Sequence, residues 1–137
     1  MGGLVTEREN VCPGGDLDRA LADLKALSGD MASCAVLSTD GVLLSSSHTE
    51  GVDRERAAAM LSAVANLAER AARQEGKEHA SQVRVDAEDG HLLLVRLDGG
   101  GILAATTAKD ARVGLVLYDM RNARGEVEKA TNAGGRS

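Results

Sequence analysis

Aromatic residues are almost absent from this chain, which has no Trp, no Phe and a single Tyr, Tyr118. Proteins that hold single-stranded nucleic acids stack the bases on aromatic side chains, so this class of protein is excluded. The formal net charge of −5, from 21 acidic and 16 basic residues, is also the wrong sign for a surface that binds phosphates. No nucleic-acid partner is expected.

Long apolar runs are missing as well. None approaches the roughly 20 residues needed to cross a bilayer, and Met1–Glu9 contains no basic segment followed by an apolar one. Neither membrane insertion nor a secretory signal is expected, so the chain is interpreted as cytoplasmic. The two cysteines are then expected to be reduced thiols, with Cys34 buried in a strand and Cys12 in a tail.

What is present is an ordinary globular composition: 137 residues, 43% hydrophobic and 27% charged, which fits one folded domain. The most informative segment is Ala35–Ser45, in which two apolar runs flank Asp40–Gly41. Asp-Gly in this position predicts a tight hairpin turn of the primed type, with positive φ in the turn. Neither run alternates cleanly between apolar and polar residues, which indicates strands buried on both faces.

The rest of the chain predicts three helices and three further strands. The helices are expected at 16–27, at 52–74 and from Asp110 to Val127, and the strands at 32–38, 42–47, 82–88, 91–97 and 102–107. Only the strand at 82–88 alternates strictly, which indicates an edge strand or one with a wet face. Short Gly-containing turns join the last three strands into an antiparallel meander. The expected domain is 16–128, with flexible tails at 1–15 and 129–137.

Two features of the predicted helices leave alternatives open. The long helix carries a row of small residues, Ala58, Ala65 and Ala72, beside its main apolar stripe. This row suits close approach of a partner helix, but the high helix propensity of Ala explains it equally well. In the last helix, Gly114 costs about 1 kcal/mol relative to Ala, which suggests either close packing on the sheet or a neutral substitution.

No arrangement of residues predicts catalysis, a metal or a cofactor. The run Gly99–Gly101 lies between two strands rather than before a helix, so it is interpreted as a hairpin turn and not as a phosphate loop. The spacing of His48, His79 and His91 brings no metal-ligand set together. The run Ser45–His48 places a hydroxyl beside an imidazole, without the strained turn and the separately oriented base that a nucleophile needs.

The assembled order of elements resembles the Roadblock/LC7 family, which includes dynein light chains, over residues 16–128. The resemblance is carried in order by the helix ending in Leu24–Leu27, the run Ala35–Gly41, the Ala-rich helix from Ala57, the strand His91–Leu97 with Gly99 and Gly101, and Val113–Leu115. It implies a profilin-like α+β sandwich of order αββαβββα, with helices on both faces of a five-stranded antiparallel sheet. It also implies a non-enzymatic protein without a cofactor, of a bacterial, actinobacterial type.

The resemblance further implies a homodimer that pairs through the third strand, with the two long helices side by side. The expected partner is a small Ras-like GTPase, with a sensor kinase as a further expected partner, and the expected function is to bind and modulate that GTPase. The dimer interface is expected to comprise Gln82, Val83, Arg84, Val85 and Asp86 with Ala58, Ala65 and Ala72. The surface for the GTPase is expected to comprise Arg54, Arg56, Glu69 and Arg73.

Simpler interpretations remain beside these expectations. The pairs Glu50/Arg54 and Glu69/Arg73 have the i, i+4 spacing of charges that solubilise an outer helix face. The same two-layer topology also resembles PAS and GAF sensory modules, which hold a small ligand against the sheet. A third alternative is a structural adaptor that acts without a GTPase.

Overall fold

The structure is a computed structural model that describes residues 13–47 and 54–135 of the chain. Three helices and five strands lie within these residues, in the order αββαβββα that the resemblance implies. They are α1 (Pro13–Leu27), β1 (Met31–Leu37), β2 (Leu43–Ser46), α2 (Arg54–Gln74), β3 (Gln82–Ala87), β4 (Gly90–Arg96), β5 (Ile102–Ala108) and α3 (Val113–Gly135).

The five strands form one antiparallel sheet in the spatial order β2-β1-β5-β4-β3. The first hairpin joins the meander because β1 pairs with β5, in a register that sets Leu37 opposite Ile102 and Ala35 opposite Ala104. Consecutive residues Ala35 and Val36, which point to opposite faces, are both buried. Both faces of the sheet are therefore covered by helices at β1, as its apolar run predicts. The prediction is wrong for β2, which forms the other edge of the sheet and leaves Leu44 exposed.

One face of the sheet carries the main hydrophobic core. Side chains from α1, the central strands and α3 interlock there, including Leu21, Val36, Leu93, Leu103 and Met120. Burial of each such aliphatic side chain contributes about 1.5–3 kcal/mol. Helix α2 lies alone on the opposite face. The face that carries α2 is therefore less completely covered than the face that carries α1 and α3.

The first hairpin turn has a different geometry from the predicted one. The N–H of Gly41 donates to the carbonyl of Ser38 at 3.0 Å, and the N–H of Ser38 donates to the carbonyl of Val42 at 2.9 Å. Gly41 has φ of +86°, but no described residue other than glycine has positive φ. A primed turn centred on Asp40–Gly41 would need positive φ at Asp40, so the prediction of that turn type is wrong. The three-residue loop instead ends on a left-handed glycine, and the register shifts beside Leu37.

Helix α3 is longer than the sequence predicts. Residues 129–137 are expected to form a tail, but the helix continues to Gly135. Ala130 packs against the core, and the hydroxyl of Thr131 donates to the carbonyl of Val127 at 2.8 Å. The segment continues because it offers another inward-facing small residue one turn after Val127 and has no proline to stop it.

The glycine-rich turn between β4 and β5 is a hairpin turn, as predicted. Its N–H groups face a carboxylate from the protein itself, since Asp98 N–H donates to Glu128 Oε1 at 2.9 Å and Gly99 N–H donates to Glu128 Oε2. These bonds fasten the middle of α3 to one end of the sheet. The turn thereby uses the hydrogen-bond donors that a phosphate loop would offer to a ligand.

Candidate functional site

Strand β3 forms an open edge of the sheet. It pairs with β4 and with no other strand of the described residues. Of its six residues only Val83 is half-buried, and the other five are exposed. An edge strand with free backbone donors and acceptors can pair with another strand. The alternation that predicts an edge strand is thus confirmed in the fold.

The side chains of β3 divide between the two faces of the sheet. Val83 lies opposite Leu94 and Val85 opposite Leu92, which places both valines on the α2 side. Gln82, Arg84 and Asp86 therefore lie on the side of α1 and α3. Val83 and Val85 therefore extend the apolar surface of the sheet on the side that α2 covers.

The polar side chains of β3 are held by neighbours within the protein. The Gln82 Oε1 atom accepts a hydrogen bond from Arg121 of α3 at 3.0 Å. Asp86 accepts one from Arg84 Nε at 2.8 Å, and His91 Nδ1 lies 2.8 Å from the same carboxylate oxygen. The Arg84 hydrogen bond, followed by that of His91, lowers the pKa of Asp86. The contacts of Gln82 and Asp86 connect the edge strand to α3 and to β4, respectively.

Helix α2 leaves part of its apolar surface uncovered. Met60 is 63% exposed and Leu67 is 66% exposed, seven residues apart on one side of the helix. An opening of about 210 Å³ separates this side from the sheet and is lined by Met60 and Leu61 of the helix and Leu92 of β4. Because Leu92 is the cross-strand neighbour of Val85, the uncovered side of α2 faces the β3 edge.

The small-residue row of α2, which is expected at the dimer interface, lies on a side of the helix that is at least partly buried. Ala58 is buried, and Ala65 and Ala72 are half-buried toward the body of the protein. Ala58 lies beside the first hairpin, with which it lines one opening, and a Cβ placed on Gly41 would stand 2.7 Å from Ser62 Oγ, one turn further along α2. Small residues allow this approach, so Ala58 serves packing within the protein.

The charged residues expected on the partner surface have different surroundings. The side chain of Arg54 lies outside the described residues, and Arg56 is exposed near the beginning of α2. Glu69 and Arg73 form an ion pair at 3.3 Å, in which Arg73 is the more exposed side chain. Arg56 and Arg73 therefore remain accessible on α2.

Glu69 chiefly anchors the connection between α2 and β3. Its Oε2 lies 2.6 Å from His79 Nδ1, and its Oε1 accepts the Ala80 N–H at 3.0 Å. The hydrogen bond from His79, followed by that from Ala80, lowers the pKa of Glu69 to about 2. Sequence reasoning missed this role, since no short-range spacing links residue 69 to residue 80.

The described residues offer no site for metal chemistry. Within 13–47 and 54–135, no three His, Cys, Asp or Glu side chains are placed to hold a metal ion. Cys34 is buried and burial raises the pKa of its thiol, which disfavours the reactive thiolate. Cys12 and His48 lie outside the described residues. No helix in the described part of the chain is long and apolar enough to cross a membrane.

Comparisons with known proteins agree with this geometry. The family model for the Roadblock/LC7 domain matches residues 14–107. Among curated proteins, none matches the chain. Among solved structures, Myxococcus xanthus MglB is 15% identical with a TM-score of 0.78, and the alignment covers 88% of this chain and 90% of that one.

Two further structures show the same architecture. A Roadblock/LC7 domain from Streptomyces avermitilis is 23% identical with a TM-score of 0.75, and the alignment covers 83% of this chain and 96% of that one. A structure described as MglB with a tetrameric arrangement is 13% identical with a TM-score of 0.79, covering 89% and 92% of the two chains. At these identities the likeness concerns the fold.

Proposed function

The chain belongs to the Roadblock/LC7 family, and on that basis we propose that it is a non-enzymatic, homodimeric regulator or scaffold that binds and modulates a small Ras-like GTPase in a bacterial signalling system. Members of this family are regulatory adaptors and generally lack catalytic activity of their own. The observation that carries the proposal is the open β3 edge, which lies beside the exposed Met60 and Leu67 of α2.

The proposed dimer forms when two β3 strands pair along their free edges. Such pairing satisfies the exposed backbone groups of residues Gln82–Asp86 and extends the sheet through both copies. It also brings the uncovered apolar sides of the two α2 helices together, so that Met60, Leu67 and Val85 leave water. Val83 and Val85 contribute side chains from the strand, and Met60 and Leu67 replace the buried Ala58 as the helix contacts.

Self-association has a precedent among the structurally similar proteins. One MglB structure is described with a tetrameric arrangement. For the present chain, removal of two large exposed apolar side chains from water favours association, since burial contributes roughly 25 cal/mol per Å² of apolar surface. A stable dimer needs about 1,200–2,000 Å² of total buried surface. An edge strand together with a 21-residue helix offers a surface of suitable extent.

The proposed GTPase contact uses the charged surface of α2. Arg56 and Arg73 stand at opposite ends of the helix, and both are exposed. A partner with acidic residues on its contact face matches this surface, with Arg54 and Glu69 at its margins. The proposed action is positional: the protein holds the GTPase in one conformation, without supplying an arginine finger to the transferred phosphate.

The sensory-module alternative receives less support. The opening beneath α2 holds about 210 Å³, and its polar lining is limited to the hydroxyls of Ser33 and Thr106, which bond to each other at 2.6 Å. Pockets for small ligands usually range over about 300–1,000 Å³ and present converging polar groups. The opening is better suited to receive apolar side chains of a second copy than a signalling metabolite.

The decisive experiment is co-purification with a small Ras-like GTPase encoded beside this protein, followed by GTP turnover with and without the protein. We expect a stable complex and a changed turnover rate. A charge-reversed variant, Arg56→Glu with Arg73→Glu, should lose the complex, whereas Lys109→Glu, on the β5–α3 turn, should retain it. Absence of both a complex and a rate change would contradict GTPase regulation. The remaining interpretation would then be a structural adaptor that acts without a GTPase.

A further inference from the structure

A second apolar surface lies on the other side of the sheet, along the junction of α1 and α3. A groove of about 270 Å³ runs between the two helices on their outer side. Ala20, Leu24 and Leu27 line it from α1, and Ala123 and Val127 line it from α3. The groove has an apolar floor and opens away from the face that carries α2.

The rim of this groove is acidic. Asp23 stands on the α1 side, and Asp119 and Glu126 stand on the α3 side. Within the described part of the chain, none of these three carboxylates makes an ion pair or a side-chain hydrogen bond. By contrast, Glu69 and Asp86 elsewhere on the surface are each paired with cationic side chains. Among the described residues, the rim therefore presents three carboxylates without an ionic or hydrogen-bonded partner.

Large apolar side chains extend the groove at one end. The ion pair between Arg112 and Asp30, 3.0 Å long, fixes the end of α1 beside the beginning of α3. Leu27 is 72% exposed at the end of α1, and Leu115 and Tyr118 are exposed on the first turns of α3. Tyr118 is the only aromatic residue of the chain, and tyrosine is enriched among residues that dominate binding energy in protein interfaces.

We propose that the groove between α1 and α3 binds a basic amphipathic helix of another protein. Aliphatic side chains spaced i, i+3 or i+4, and i+7 would occupy the apolar floor, and flanking Lys or Arg side chains would meet Asp23, Asp119 and Glu126. The volume, below that of most small-molecule pockets, suits a row of side chains. Because the groove lies across the sheet from α2, this partner can bind while the β3 and α2 surface is occupied.

The test is selection of binders from a displayed library of helix-forming peptides, using the full chain as target. We expect the selected peptides to combine aliphatic residues at helical spacing with Lys or Arg beside them. In fluorescence anisotropy, the best peptide should bind the triple variant Asp23→Asn, Asp119→Asn, Glu126→Gln roughly tenfold more weakly. Its affinity for the wild-type protein should also fall as salt rises, since the charges at the rim are exposed.

A matched control neutralises three exposed carboxylates elsewhere, through Glu75→Gln, Glu78→Gln and Glu88→Gln, and should leave the affinity unchanged. A second variant, Leu27→Ser, should weaken binding without loss of the folded state, since this side chain is mostly exposed. Recovery of no binder, recovery of neutral or acidic peptides, or equal binding to the triple variant would overturn the proposal. If the triple variant changes its oligomeric state but binds the peptide like the wild-type protein, the groove binds a second copy of the chain, and the proposal is wrong.

Discussion

Gly41 of the first hairpin lies so close to Ser62 of helix α2 that a Cβ at position 41 would displace the serine hydroxyl. A Cβ on Gly41 would stand 2.7 Å from Ser62 Oγ, and Gly41 also has φ of +86°. These two constraints act on the same residue, one from the backbone and one from a neighbouring helix. They make Gly41 a close contact between the first hairpin and α2 that a larger residue would disturb.

We expect Gly41→Ala to lower the free energy of unfolding by about 1–2 kcal/mol, because a left-handed backbone disfavours a Cβ and the hydroxyl must move. Urea unfolding followed by circular dichroism measures the change. In the background of Ser62→Ala the steric part is relieved, so the loss should be smaller but not zero. Gly29→Ala, where a Cβ meets nothing within 4 Å, is the control. Equal losses in both backgrounds would contradict a steric role for Ser62.

Substitution of Gly114 by Ala should stabilise the protein, whereas the same substitution at Gly41 should destabilise it. Gly114 lies in the first turns of α3, is exposed, and a Cβ there would meet nothing within 4 Å. The interpretation that Gly114 packs closely against the sheet is therefore wrong. We expect Gly114→Ala to raise the free energy of unfolding by about 0.5–1 kcal/mol through helix propensity alone. Gly125→Ala, equally open within the same helix, should give a similar gain, and a loss of stability in either variant would contradict this account.

The hydrogen bonds of Glu69 predict a dependence of stability on pH. The folded protein lowers the pKa of Glu69 from 4.5 to about 2. The resulting stabilisation is fully present above pH 4.5 and is lost as the pH falls toward 2, because protonation removes the bonds to His79 and Ala80. In Glu69→Gln, the loss of stability between pH 5 and pH 2.5 should be smaller than in the wild-type protein.

Urea midpoints measured at several pH values between 2.5 and 7 test this prediction. Glu75→Gln, at an exposed position beyond α2, serves as the control and should keep the wild-type dependence on pH. If Glu69→Gln shows the same dependence as the wild-type protein, the carboxylate does not anchor the α2–β3 connection.

The order of elements, the first hairpin and the edge position of β3 could be predicted from local patterns, since each depends on residues close in sequence. The orientation of α2 could not. Its two apolar rows, one containing Ala58 and the other Met60, both satisfy helical periodicity, and which row faces inward depends on contacts with segments distant in sequence, such as the approach of Gly41 to Ser62. The role of Glu69 was missed for a related reason, because its partner Ala80 lies eleven residues away across a loop.

The exposed side of α2 yields the most direct prediction about assembly. Met60 and Leu67 stand largely in water beside the β3 edge, so the double variant Met60→Glu, Leu67→Glu should remain folded and become monomeric. Two like charges brought together across a symmetric interface repel, whereas in a monomer both carboxylates stay hydrated. Sedimentation equilibrium at micromolar concentration measures the change, and circular dichroism verifies the fold. The control variant Val42→Glu, at an exposed apolar position in the first hairpin, should remain dimeric. A wild-type protein that sediments only as a monomer, or a double variant that still dimerises, would show that this surface does not join two copies.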